Sequence, residues 1–223
     1  MFRRQLLAAF VLVSLFTLAG FAETQILLIG IKDLHPTQAN LGFKEVEKKA
    51  KKVAKKQANG ELEQYLRMES VPVVLGPGNK KYMIDGHHFL AAAYKQKIEK
   101  VYYEVVDDYS NQADQTAFWK KMIDAKRVYL KDKGQPIEPS DLPNDITGLT
   151  DDPYRTFAAD VRDRGGFNKT DTPFMEFMWA DYFRPLVALD FIETDHKKAI
   201  KQGRVLARDS RAADLPGYRG SKK

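Results

Sequence analysis

One segment restricts the fold more than any other: Tyr82-Met83-Ile84-Asp85-Gly86-His87-His88-Phe89-Leu90-Ala91-Ala92. Its first residues read as a strand and its last ones as a strong helix former. An acid and a glycine leave room only for a tight turn between them. A helix that starts abruptly after a strand presents unpaired N–H groups and a partial positive charge, which favour an anion. Gly86 lets that anion approach the backbone. Imidazoles at such a spot donate hydrogen bonds or move protons near neutral pH. On the residues alone the turn is one of two things. Either it binds phosphate, with His87 and His88 at work and Asp85 orienting the turn, or Asp85 merely caps the helix and the histidines are polar surface.

The flanking chain supplies the elements such a turn needs. Ile26-Leu27-Leu28-Ile29-Gly30-Ile31 reads as a short buried strand, and His35 to Gly42 as a loop. From Phe43 the spacing of Phe43, Val46, Ala50, Val53 and Ala54 predicts a helix with one apolar stripe, its other faces filled by lysines 44, 48, 49, 51, 52, 55 and 56. Asn59-Gly60 caps it, and a shorter helix follows through Leu62, Tyr65 and Leu66. Val71–Leu75, the Gly76-Pro77-Gly78-Asn79 turn and Lys80–Ile84 form a β-hairpin, with Pro72 near a sheet edge or a strand start. Val101–Val106 is a further strand. Residues 25–110 therefore read as a compact α+β unit. Residues 111–207 read as a helical extension. In it Asp152-Pro153 opens a helix closed by Gly165-Gly166, and Thr172-Pro173 opens another ended by Arg184-Pro185. The polar, basic tail 208–223 is expected to fray.

Residues 1–22 stand apart. Arg3 and Arg4 precede 18 uncharged residues, Gln5 to Ala22, and small residues at 19, 20 and 22 precede Glu23. This layout predicts a signal peptide cleaved after Ala22, hence a periplasmic or secreted protein with no stable membrane span; the alternative is a retained anchor. Cleavage would lower the formal charge from +6 to +4, because it removes two arginines and no acid. That small excess permits contact with phosphates without establishing nucleic-acid binding. The chain has no cysteine, which excludes disulfides, thiolate zinc sites and thiol nucleophiles.

The strand–DGHH–helix–strand order resembles the ParB/sulfiredoxin-like fold, and within it the ParB-like nuclease family. The resemblance extends over nearly the whole mature chain: His35-Pro36-Thr37-Gln38, Gly42 to Val46, Asp85-Gly86-His87-His88, Phe118-Trp119, Asp151-Asp152-Pro153-Tyr154-Arg155, and Phe174 to Arg184 with Glu176-Phe177 and Trp179-Ala180-Asp181. It implies a small mixed sheet with packed helices, and nucleotide or phosphate binding at the turn. Relatives with this fold include nucleotide-hydrolysing partition proteins, a free-serine kinase and sulfiredoxin. His87 stands where sulfiredoxin-like enzymes need a cysteine, so that chemistry is excluded. Phe89 stands where many relatives carry an arginine, which removes an expected phosphate fork. No DNA-reading helix-turn-helix has a clear counterpart.

The remaining candidates follow from charge and spacing. Glu45 either reaches the turn as a general base or pairs with Lys49 at the surface. Arg155, one turn into its helix, faces a phosphate or pairs with an acid such as Asp181. Asp152 reads as a cap. Glu176, Asp181 and Arg184 interrupt an apolar helix and are read as paired structural charges. The aromatics of that helix are read as core. The lysine-rich helix reads as a solvated face, and His35 and His196 as isolated polar residues. Adjacent His87 and His88 make a poor chelating pair, so the metal expected is Mg²⁺ carried in by a nucleotide and held by Asp85. Together these readings give His87, His88, Asp85 and Glu45 as catalytic candidates and Gly86, His87, His88 and Arg155 as phosphate ligands. The function expected is a nuclease or phosphodiesterase acting on a phosphate ester or nucleotide, with nucleic acid as one partner class. A nucleotide-dependent kinase or nucleotidase and a non-enzymatic binding protein are the alternatives. Scarce extracytoplasmic triphosphate weighs against the kinase.

Overall fold

The computed structural model describes residues 26–220; residues 1–22, read above as a signal peptide, lie outside the described residues. Among them the elements run β1 (Leu27–Gly30), β2 (Leu34–Pro36), β3 (Asn40–Leu41), α1 (Phe43–Ala58), α2 (Leu62–Met68), β4 (Val71–Leu75), β5 (Lys81–Met83), α3 (His87–Lys95) and β6 (Lys100–Asp108). They continue with α4 (Gln115–Asp124), β7 (Lys131–Asp132), β8 (Gln135–Pro136), β9 (Thr150–Asp151), α5 (Pro153–Asp163), α6 (Met175–Phe183), α7 (Leu189–Thr194) and α8 (His196–Leu206). The expected α+β class holds, with a mixed sheet in the order β1-β6-β4-β5-β2. β4 is parallel to β6 and antiparallel to β5, so the β4–β5 hairpin delivers the chain to α3 beside the middle of the sheet.

Burial of apolar side chains between α1, α3 and the sheet makes the first core, around Val46, Val53, Val73, Met83, Leu90 and Val101. The second core lies in the helical part, around Phe157, Phe167, Trp179 and Phe183. The two parts are stitched together. β3 pairs in parallel with β9 just ahead of α5, and Ile146 and Leu149 enter the first core. Asp152 caps α5 as read, accepting from the Tyr154 amide at 3.0 Å.

Four expectations need correction. The first strand is not buried: β1 pairs only with β6 and is an edge strand with Leu28 56% exposed. Residues 35–42 are not a surface loop. They include β2 and β3, and Thr37, Gln38 and Asn40 are buried because their side chains find partners. Thr37 Oγ1 donates to the Met83 carbonyl at 2.8 Å and Gln38 Nε2 to the Asn40 carbonyl at 2.6 Å. Helix α6 starts at Met175, with Phe174 outside it in a left-handed conformation. The tail does not fray up to residue 220. Ala212 is buried, Trp179 Nε1 donates to the Pro216 carbonyl, and the Asn168 amide donates to the Gly217 carbonyl, both at 2.8 Å.

Candidate functional site

The turn is where the sequence places it. Gly86 is the N-cap of α3 with φ 81°, a left-handed conformation that a glycine takes without cost. Asp85 does not cap the helix. Its Oδ1 accepts from the Gly86 amide at 2.6 Å, and no side chain caps the first turn. Among the described residues the amides of His87, His88 and Phe89 therefore have no acceptor. All three residues line a cleft of about 1100 Å³ between the sheet unit and the helical part.

The histidines do something the sequence did not suggest. They are not polar surface: His87 is 3% and His88 9% exposed. His87 Nε2 accepts the Thr37 amide at 3.2 Å, and His88 Nε2 accepts the Gly42 amide at 3.0 Å. Each ring thus fastens the 37–42 segment onto α3. An Nε2 that accepts an N–H carries no proton, so both rings are neutral with the hydrogen on Nδ1. Burial depresses both: His87 to about 4 against the pull of Asp85, and His88 well below the usual range, helped by Arg155. The general acid–base role for these rings therefore gives way to hydrogen bonding. Nδ1–H is the donor each keeps, and neither Nδ1 has a partner among the described residues.

Opposite the turn, α5 and α6 bring a chain of charges to the same cleft. Arg155, 8% exposed, reaches Glu45 Oε2 with Nη1 at 3.3 Å and Glu176 Oε2 with Nη2 at 3.8 Å. Glu176 also takes Lys169 Nζ at 2.9 Å and the Arg162 guanidinium. Glu45 thus reaches across the fold instead of pairing with Lys49, and its carboxylate stands 3.7 Å from His88 Nε2, a contact with a neutral ring. Arg155 pairs with neither Asp181 nor any single acid, and its Nε is buried without an acceptor. Burial and the two arginines lower the pKa of Lys169, while Asp85 and Glu45 raise it. In this arrangement the donors that no carboxylate takes are the three free amides, the two Nδ1–H groups and the Arg155 Nε–H, while Arg162 is held by Glu176 and Asp163 and Lys169 by Glu176.

The sequence reading brought Asp85, Gly86, His87, His88, Glu45 and Arg155 forward, and all six line this cleft. It missed Gln38, Lys49, Arg162, Lys169 and Phe174. Arg162 carried a signal, because seven residues after Arg155 is two helical turns along the same face of α5. Lys169 sits in the α5–α6 loop and carried none. Asp152, Asp181 and Arg184 belong to a separate cluster away from the cleft. His35 and His196, read as isolated, have partners of their own and do not line the cleft: Nδ1 of His35 lies 2.9 Å from the Asn144 carbonyl, and Nε2 of His196 lies 2.7 Å from Asp160. Among the described residues no three histidines or acids are grouped to hold a metal. Asp85 fits Mg²⁺ only as one carboxylate beside phosphate oxygens and water. No described helix is long and apolar enough to cross a membrane.

Fold and cleft together define a class: an α+β protein with an uncapped helix N-terminus facing a buried arginine, with Arg162 and Lys169 more exposed beside it. The family described as "Putative ParB-like nuclease" matches residues 27–185, and the chain belongs to it. The protein Atu1540 from Agrobacterium tumefaciens, known from its crystal structure, is similar with 33% identity and a TM-score of 0.80. The match covers 90% of this chain and 100% of that one. No curated protein matches the chain in sequence.

Proposed function

We propose that the cleft binds a phosphate ester, and that the protein is a phosphodiesterase or nuclease acting at the Asp85–His88 turn. One observation carries this reading: the three acceptor-free amides of α3 open onto the same cleft as Arg155, whose buried Nε–H has no acceptor of its own. Buried donors left unpaired are costly, and a phosphate with several acceptor oxygens answers many of them at once. Gly86, the Nδ1–H groups of His87 and His88, and Arg155 hold the phosphate. Arg162 and Lys169 supply charge from the rim. With the imidazoles neutral and tied to backbone amides, Glu45 is the group placed to take a proton from an attacking water. A Mg²⁺ ion arriving with a nucleotide would rest on Asp85 and neutralise phosphate charge. The N-terminal uncharged run supports an extracytoplasmic setting, where esters are better available than triphosphates.

A second reading, a binding protein without turnover, is favoured by the pairing of Glu45 with Arg155 and by the structural employment of both histidines. Calorimetric titration with inorganic phosphate, and hydrolysis of a chromogenic phosphodiester with and without Mg²⁺, separate the two. Arg155→Met is expected to weaken phosphate binding by tenfold or more, about 1.4 kcal/mol. Glu45→Gln is expected to keep binding and to lose about 10²–10⁴ in rate. Binding without turnover in the parent selects the second reading. A parent that does not bind phosphate overturns both.

A further inference from the structure

Phe174 is not the core aromatic its sequence suggests. It precedes α6, and its backbone is left-handed, with φ 57° and ψ 20°. A bulky side chain rarely takes that conformation, which glycine or asparagine adopts at lower cost. The neighbouring chain holds it there. The Met175 amide donates to the Thr172 carbonyl at 3.3 Å, the Phe177 amide to the Phe174 carbonyl at 2.9 Å, and Thr170 Oγ1 to Thr172 Oγ1 at 3.1 Å. Strain of this kind is concentrated at functional sites, where it aims a side chain.

Here it aims a ring at the cleft. Tyr129 backs Phe174 with ring centroids 5.6 Å apart and 30° between planes, and stacks on Phe177 at 4.7 Å and 26°. The Tyr129 hydroxyl donates to Asp181 at 2.8 Å, which fixes the middle ring. Of the three rings Phe174 and Phe177 line the cleft, and Phe174 is the less buried. The Arg155 guanidinium lies 5.4 Å from the Phe177 ring centroid, so the aromatic wall begins where the anion donors end.

We propose that Phe174 determines specificity: its ring is the platform for a flat aromatic or heteroaromatic group carried by the phosphate ligand. The ligand class is then an aryl or nucleoside phosphate, in preference to a sugar phosphate or free phosphate. This inference rests on the phosphate reading above. A ring seated on an aromatic face gains offset stacking that an aliphatic side chain does not supply.

The test compares four probes by calorimetry on the parent, Phe174→Leu and Phe174→Tyr: inorganic phosphate, ribose 5-phosphate, phenyl phosphate and adenosine monophosphate. Far-UV circular dichroism checks that each variant is folded. In the parent, adenosine monophosphate is expected to bind about tenfold tighter than ribose 5-phosphate. Phe174→Leu should erase that advantage and leave inorganic phosphate unchanged, and Phe174→Tyr should keep it. A gain shared by phenyl phosphate assigns the preference to any flat ring, and a gain confined to adenosine monophosphate assigns it to a nucleobase. If inorganic phosphate binds but no ring adds affinity, or if Phe174→Leu keeps the full advantage, the platform is overturned while the phosphate reading stands. If inorganic phosphate fails to bind, the phosphate reading falls and takes the platform with it.

Discussion

Two charged networks hang on the same pair of helices, α5 and α6, and they end differently. At the start of α5, Asp152 is fully buried. It caps the helix and takes both guanidinium nitrogens of Arg184, at 2.8 and 3.3 Å. Arg184 in turn lies over the Tyr154 ring at 4.7 Å, and neighbouring Asp181 is held by Tyr129 and Lys131. Further along α5, Arg155 one turn on and Arg162 two turns beyond it share Glu176 with Lys169, Arg162 also takes Asp163, and Glu45 joins from α1. The first network lies away from the cleft and is centred on a carboxylate with all its work inside the protein. The second opens on the cleft and sets Arg155, Arg162 and Lys169 against Glu45, Glu176 and Asp163, yet leaves the Arg155 Nε–H without an acceptor. Charged residues among aromatics in one stretch of sequence can thus be either scaffold or site. The separation is made by what lies across from them, a helix end already capped in one case and an uncapped one in the other.

The comparison breaks first at Asp152. Asp152→Ala removes a cap and strands Arg184, so the expected loss is about 3 kcal/mol of stability by urea unfolding. Phosphate affinity of the folded variant should stay at the parental level. A variant of unchanged stability would remove the distinction between the two networks.

The next effect concerns pH. His87 is neutral in the fold and titrates near 4, below its ordinary 6.5. Between those values the unfolded chain binds a proton that the folded chain does not, so stability falls as pH drops from 6.5 to 4. The full contribution is present above 6.5, and its loss from this one ring is of order 3 kcal/mol. His87→Gln keeps an acceptor for the Thr37 amide without a titrating ring. Unfolding measured across that window should show a shallower slope in the variant. An identical slope would mean that His87 is not the buried acceptor described.

The smallest effect belongs to Lys169, whose side chain is 63% exposed. Lys169→Met should move stability by no more than about 0.5 kcal/mol. It should weaken phosphate about threefold, with a shallower salt dependence. A drop as large as that for Arg155→Met would shift the centre of the site from the buried to the exposed cation.

Much of this was legible. The strand–turn–helix order around Gly86 and the Asp152-Pro153 helix start are local, set by turn chemistry and capping within a few residues. The six candidates met in one cleft because each sat at the start of an element. What could not be read was long-range. Thr37 and Gly42 are 50 and 46 residues from the histidines whose Nε2 atoms they occupy. No spacing rule announces a backbone amide as the partner of a ring. The burial of residues 35–42 had the same cause, since polar side chains look exposed until their partners are known. Phe174 kept the apolar period of α6 while standing one residue outside it.

In the proposed function, the uncapped N-terminus of α3 and Arg155 form one anion site. Amide NMR of ¹⁵N-labelled protein during titration with inorganic phosphate tests it most directly. The expected result is saturable, concerted movement of the His87, His88 and Phe89 amides and of the Arg155 Nε–H, to a common dissociation constant that Arg155→Met weakens. Movement confined to exposed lysine-rich positions on α1, or no saturable change at the α3 amides, would contradict the account.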